Sequence, residues 1–249
     1  MSQSPIIIAH RGFSARAPEN TLAAFRAAIE VGADGIELDV QLSKDGHVVV
    51  IHDEKLDRTT NGSGPVGEKT LEELSKLDAG GWFGPQFAGE PLPTLRAVFE
   101  LVREKNWKGV INVEMKTSKF LYPGIERAVV DLIAEFGLRE QALISSFNHN
   151  SLAEVTRIAP DIKTAILYSA VLYRPWEYAK AFGCAALHPP RQPVIEEVAR
   201  EAVKAGLAVN VWTINSPDQA AELASFGVTG IITDRPDELL ARFGRAPQS

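Results

Sequence analysis

GIELDVQLSKDGHVVVIHD, residues 35–53, is the stretch from which the fold is read. Gly35–Val40 is a short apolar, β-branched run, Val48–Ile51 is another, and Lys44-Asp45-Gly46 between them reads as a turn. A parallel partner needs a crossover of a dozen or more residues, so a link this short makes an antiparallel hairpin. Folding the hairpin about Asp45 sets His52 opposite Leu38 and Asp39. Side chains alternate along a strand, which puts Glu37 and Asp39 on one face and Ile36 and Leu38 on the other. The apolar face is built for packing, and the acidic face needs compensation.

Outward from this hairpin, apolar runs alternate with amphipathic ones. Strands are expected at Ile6–His10, Gly35–Val40, Val110–Met115, Ala142–Ser146, Lys163–Tyr168, Ala185–His188, Ala208–Thr213 and Gly230–Thr233. Helices are expected at Thr21–Val31, Leu95–Lys105, Ile125–Phe136, Leu152–Ile158, Trp176–Phe182, Val194–Ala205, Pro217–Phe226 and Pro236–Phe243. Strands each followed by a helix, eight times over, predict a TIM-like (β/α)8 barrel. Helix punctuation agrees. Asn20 is a candidate N-cap, Gly32 stands where a left-handed residue ends a helix, and Ser216-Pro217 and Asp234-Arg235-Pro236 read as caps with proline in the first turn.

The chain of 249 residues suits one such domain, 1–249. Its long turn-rich stretch, about 53–93, reads as a small inserted cap subdomain following the hairpin. Trp82, Phe83 and Phe87 favour packing over disorder there, and Leu71–Leu77 is partly helical. The tail Gly244–Ser249 reads as frayed.

Bulk numbers exclude several functions. The net charge is −6, with no basic stripe, so a nucleic-acid partner has no electrostatic footprint. A single cysteine, Cys184, permits no intrachain disulfide. No basic n-region precedes the short apolar run at the N-terminus, and no stretch approaches a membrane span. A cytoplasmic protein without membrane anchor is the default expectation, and a homo-oligomer is left open.

In a barrel the carboxyl ends of the strands carry the chemistry. The first strand ends in His10-Arg11-Gly12, the second contains Glu37 and Asp39, the hairpin ends at His52-Asp53, and the third contains Glu114 and Lys116. Glu114 and Lys116 share a face, as Glu37 and Asp39 do. Three inward carboxylates repel one another and are costly to bury without a cation. An all-oxygen donor set suits a hard ion, so Glu37, Asp39 and Glu114 are the expected ligands of one divalent metal, Mg2+ or Ca2+. Arg11 and Lys116 suit phosphoryl oxygens, and His10 and His52 titrate in the range needed for proton transfer.

The plainer readings fall short together. A strand-end histidine is ordinarily structural, Glu37 and Asp39 alone could be a solvated edge, and Glu114 with Lys116 alone could be an ion pair. All of them at one barrel mouth form a kit for splitting a phosphodiester. His188, ending the sixth strand, reads equally as a substrate contact or a lining residue. Phe147 and Trp212 read as core aromatics that also suit an apolar part of a substrate. Glu19 is placed to orient Arg11, and His149 reads as a surface or turn residue.

These motifs, AHRG (9–12), PENT (18–21), the quoted block 35–53, NVEMK (112–116), SSF (145–147), VWTIN (211–215) and GIITDRP (230–236), resemble the glycerophosphodiester phosphodiesterase family in its short cytoplasmic bacterial form. The block 35–53 together with HRG is highly specific. The resemblance implies a barrel with a small inserted subdomain and hydrolysis of a small glycerophosphodiester to glycerol 3-phosphate and an alcohol. It implies metal ligands at Glu37, Asp39 and Glu114, acid/base histidines at His10 and His52, and phosphate-binding residues at Arg11 and Lys116. Trp212 matches a position near the glycerol end of the family's pocket. Two alternatives stand beside it: a cyclising, phospholipase-like phosphodiesterase on the same site, and a non-catalytic barrel that binds a phosphorylated ligand.

Overall fold

The computed structural model describes residues 4–193 and 195–245. Val194, the expected start of the sixth helix, and tail residues 246–249 lie outside them. The elements run β1 (Ile6–Ala9), α1 (Leu22–Glu30), β2 (Gly35–Leu42), β3 (Val48–Val50), α2 (Leu71–Leu74), α3 (Leu95–Glu104), β4 (Val110–Met115), α4 (Ile125–Glu135) and β5 (Ala142–Ser146). They continue with α5 (His149–Ile158), β6 (Lys163–Leu167), α6 (Pro175–Ala181), β7 (Ala186–His188), α7 (Ile195–Lys204), β8 (Ala208–Val211), α8 (Pro217–Ser225), β9 (Gly230–Thr233) and α9 (Pro236–Arg242).

The sheet order is β1-β9-β8-β7-β6-β5-β4-β2-β3, and β1 also pairs with β2, which closes eight parallel strands into a (β/α)8 barrel. β3 lies outside the ring, antiparallel to β2, with Val40 opposite Val50 and the Ile51 amide donating to the Asp39 carbonyl. The hairpin therefore returns the chain to the level of Asp39, and His52 follows at the mouth. A four-residue Ser43–Gly46 turn, with Gly46 at φ +83, permits that reversal.

Two cores sit on opposite faces of the ring. Ile36, Leu38, Val113 and Met115 point outward into the large cluster shared with the helices, among them Leu95, Val98, Phe99 and Val102 of α3 at helical spacing. Inside the ring one layer on β5 to β8 is small: Ser145, Ala165, Ala186 and Ala208 are register partners in turn. The lower interior is closed by Leu143, Ala165 and Ala186. The acidic face of β2 meets β4 in register, Glu37 beside Asn112 and Asp39 beside Glu114.

Between β3 and α3 the chain packs on the hairpin through Val49, Ile51, Leu56, Val66, Leu74 and Leu92. Trp82, Phe83 and Phe87 stack edge to face at 5.6 and 5.5 Å. The helix expected over 71–77 is a single turn, α2, closed by a reciprocal Thr70–Glu73 capping box. Among the described residues no helix is long and apolar enough to cross a membrane.

Two capping expectations, and the surface or turn reading of His149, need correction. α1 is capped by Thr21, whose hydroxyl accepts from the Ala24 amide, and not by Asn20. α9 has no side-chain cap, because Asp234 is turned into the barrel mouth. His149 opens α5, and its ring bridges the Leu167 carbonyl (2.8 Å) and the Tyr178 hydroxyl (3.0 Å), tying helix to strand.

The β1–α1 turn is tight. Gly12 has φ +79, and a Cβ there would lie 2.6 Å from the Ala24 carbonyl carbon. Gly12→Ala is expected to destabilise the protein by about 3 kcal/mol through combined strain and overlap. Thermal melting should show a drop on the order of 10 °C for a chain of this size. An unchanged melting temperature would mean that the turn relaxes at no cost.

Candidate active site at the barrel mouth

All the residues nominated above except Asp39 line one cavity at the carboxyl ends of the strands: His10, Arg11, Glu37, His52, Glu114, Lys116, Phe147, His188 and Trp212. Asp39 lies beneath it. The β1 turn carries His10 and Arg11 over the edge of β2, where the Arg11 amide donates to Glu37 Oε2 at 2.9 Å.

Glu37, Asp39 and Glu114 are 3%, 1% and 9% exposed, and each offers an oxygen within 4.8 Å of the others. Two cations offset part of this charge. Lys116 Nζ lies 2.7 Å from Glu114 and 3.7 Å from Asp39, and Arg11 Nε lies 3.3 Å from Asp39. Among the described residues Glu37 has no Lys or Arg ion pair. Burial, then the adjacent Asp39 charge, pushes its carboxyl up to about 8. Glu114 rises for the same two reasons, with Lys116 opposing. Asp39, although buried, is held below the ordinary carboxylate range by Arg11 and Lys116. Three oxygen donors, one of them without a Lys or Arg partner among the described residues, fit a hard divalent cation.

Asn20 serves this cluster and not the helix end. In a left-handed conformation (φ +59), its amide donates to Asp39 Oδ2 at 2.8 Å, and its carbonyl oxygen accepts from the Asp39 amide at 3.2 Å.

The two histidines are each held at Nδ1 by a carboxylate. His10 pairs with Asp234 Oδ1 at 2.7 Å, leaving Nε2 4.0 Å from Glu37. Asp234 also accepts from Ser14 Oγ (3.0 Å) and Asn215 Nδ2 (2.7 Å). Burial opposes the charged ring, but Asp234 and Glu37 outweigh it and raise His10 above its ordinary value. His52 pairs with Asp53 Oδ1 at 2.6 Å. Burial, with Arg11 and Lys116 nearby, lowers His52 despite the pull of Asp39.

On the far side, Phe147 and Trp212 meet edge to face at 5.8 Å. The Trp212 indole donates to the His188 carbonyl at 2.7 Å. His188 is fully buried, and burial pushes it down to about 3, so it is neutral. Its Nε2 accepts from Asn210 Nδ2 at 2.9 Å, which leaves the proton on Nδ1, an atom with no hydrogen-bond partner among the described residues. His188 is therefore a fixed donor and not a proton shuttle.

Asn20, Asp53, Arg58, Asp234 and Asn215 are absent from the sequence-nominated set. Barrel closure carried a signal for Asp234, because the last strand of a closed barrel must flank the first, and GIITD therefore ends beside AHRG. No pattern along the chain pointed to Arg58.

The profile described as the glycerophosphoryl diester phosphodiesterase family matches residues 10–238. A glycerophosphodiester phosphodiesterase of Caldanaerobacter subterraneus subsp. tengcongensis is 49% identical over 94% of this chain and 96% of its own length. An Oleispira antarctica phosphodiesterase solved with its product sn-glycerol-3-phosphate superposes with a TM-score of 0.88, at 32% identity over 97% of both chains. A glycerophosphodiester phosphodiesterase from Agrobacterium tumefaciens gives 0.81 at 34% identity, over 95% of this chain and 99% of that one.

Proposed function

The chain belongs to the glycerophosphoryl diester phosphodiesterase family, and we propose that it hydrolyses glycerophosphodiesters to glycerol 3-phosphate and an alcohol with the help of one divalent cation. The observation that carries this reading is the trio of buried carboxylates, within 4.8 Å of one another, in a mouth that also holds two carboxylate-anchored histidines.

Glu37, Asp39 and Glu114 would hold the cation, which when bound would supply Lewis-acid polarisation of the phosphoryl group. Arg11 and Lys116 grip the non-ester phosphoryl oxygens, arginine through its fork and lysine as a compact charge. His10 and His52 move the protons. Asp234 is backed by neutral donors, so its full charge supports a protonated His10, suited to protonate the leaving alkoxide. Asp53 shares its charge with Arg58, and His52 stays neutral, suited to take the proton of the nucleophile. Phe147 and Trp212 wall the glycerol carbons, and His188 donates Nδ1–H to a hydroxyl oxygen. The chain acts as one domain, with the insertion about 53–93 and the loops after β5 to β8 shaping the head-group side.

A coupled assay for glycerol 3-phosphate, with glycerophosphocholine and glycerophosphoethanolamine as substrates, tests this. Turnover is expected to vanish in EDTA and to return with Mg2+ or Ca2+. Activity that survives chelation would sink the carboxylate metal site. A persistent cyclic phosphate in phosphorus NMR of the product would replace hydrolysis by cyclisation.

A further inference from the structure

From the hydrogen bonds at the edge of the mouth, we infer that Arg58 is a positioning residue for the reaction: one guanidinium in the insertion fixes both the phosphate-gripping Arg11 and the proton-moving His52. This rests on the proposed roles of those two residues.

Arg58 forks onto two carboxylates at once. Nε and Nη2 donate to Asp53 Oδ2 and Oδ1 at 2.7 and 3.0 Å, while Nη1 and Nη2 donate to Glu19 Oε2 and Oε1, both at 2.8 Å. Each carboxylate has its other engagement inside the site. Asp53 Oδ1 holds His52 Nδ1 at 2.6 Å, and Glu19 Oε1 accepts from Arg11 Nη1 at 2.8 Å. The result is an unbroken chain, Arg11–Glu19–Arg58–Asp53–His52, from one wall of the mouth to the other.

An ordinary exposed ion pair contributes little because two long side chains must be ordered for it. Arg58 is 44% exposed on its side chain, yet its backbone is already ordered. Leu56 is buried in the packed insertion, Thr59 and Thr60 are buried, and the Thr60 hydroxyl donates to the Leu56 carbonyl at 2.8 Å. The fork also matters chemically. Lysine carries the charge but cannot present paired donors to two carboxylates at fixed angles. Without the fork Glu19 and Asp53 can rotate. The Arg11 side chain then keeps Asp39 as its fixed partner among the described residues, and the His52 ring loses its fixed orientation.

The test is Arg58→Ala and Arg58→Lys, each assayed on glycerophosphocholine with and without added guanidinium, with melting temperatures measured alongside. Groups that hold a functional residue in place typically account for roughly 10- to 100-fold in activity. A loss of that size in kcat/KM is expected for Arg58→Ala, with kcat lowered and KM raised, and with melting close to wild type. Guanidinium should restore part of the Arg58→Ala activity, while Arg58→Lys should stay impaired. Full activity in Arg58→Ala, or a loss that only tracks unfolding and is not rescued, would overturn the inference. A second reading does not depend on turnover. Nitrogen-15 spectra of the imidazoles should show His52 as a single Nδ1-protonated tautomer in the wild type and a mixture in Arg58→Ala. Unchanged His52 signals would reject the positioning role even if the wild type proved inactive on glycerophosphodiesters, a result that would instead sink the proposed activity.

Discussion

Glu37→Gln is expected to abolish turnover while making the metal-free protein more heat-stable at alkaline pH. The first half follows from the donor set: a neutral amide replaces the carboxylate that, among the described residues, has no Lys or Arg partner. The loss should exceed the roughly 10–100-fold that follows removal of a residue merely supporting a ligand. The second half follows from linkage. Burial and Asp39 push the folded-state Glu37 up to about 8 from an ordinary 4.5. The metal-free folded chain therefore holds a proton that the unfolded chain has released between those values. Its contribution to stability is present below about pH 4.5 and is lost as pH rises through about 8. Glutamine never ionises and escapes that loss. Thermal melts in EDTA at pH 5 and pH 9 should separate the two proteins at the higher pH, with wild type lower. Added Mg2+ or Ca2+ should raise the wild type and leave the variant where it was, because only the intact site gains binding energy on folding. A wild-type melting curve indifferent to both metal and pH would count decisively against the cation site.

His52→Ala and His10→Ala should both be nearly inactive, yet differ in stability. Removing a proton-transfer group typically lowers kcat by about 10²–10⁴-fold. The His52 side chain is 31% exposed at the mouth, and Asp53 keeps both bonds to Arg58 when the ring is gone. Its alanine variant should melt within about 2 °C of wild type, as surface changes of a few tenths of a kcal/mol do. The His10 ring is more enclosed, and its loss leaves Asp234 with Ser14 and Asn215 alone. Withdrawing a partner from a partly buried carboxylate costs about 1–3 kcal/mol, so His10→Ala should melt measurably earlier. Steady-state kcat and calorimetry on the two variants decide it. Equal melting temperatures would show that Asp234 does not depend on the ring.

Much of the fold was legible because the signals are local. A run of β-branched residues, a Lys44-Asp45-Gly46 turn too short for a crossover, and repeated strand-then-helix patterns led to the parallel ring and to β3 folding back. The same two-residue periodicity placed Glu37 with Asp39 and Glu114 with Lys116, and the register Asp39 to Glu114 brings the pairs side by side. Capping residues were read less well. Asn20 and Asp234 both precede helices and both have side chains able to cap, but stronger partners lie on the neighbouring strands, in Asp39 and His10.

By itself, then, the order of residues determined which side chains share a strand face and which strands can lie parallel, since both depend on neighbours a few positions apart. Only the closed ring decided what each buried polar group meets. His10 and Asp234 stand 224 residues apart and touch because the last strand returns beside the first. Arg58 reaches two carboxylates 5 and 39 residues away because the insertion packs over the hairpin. A hydrogen bond reports distance in space, and distance in space is set by packing that no short stretch of sequence contains.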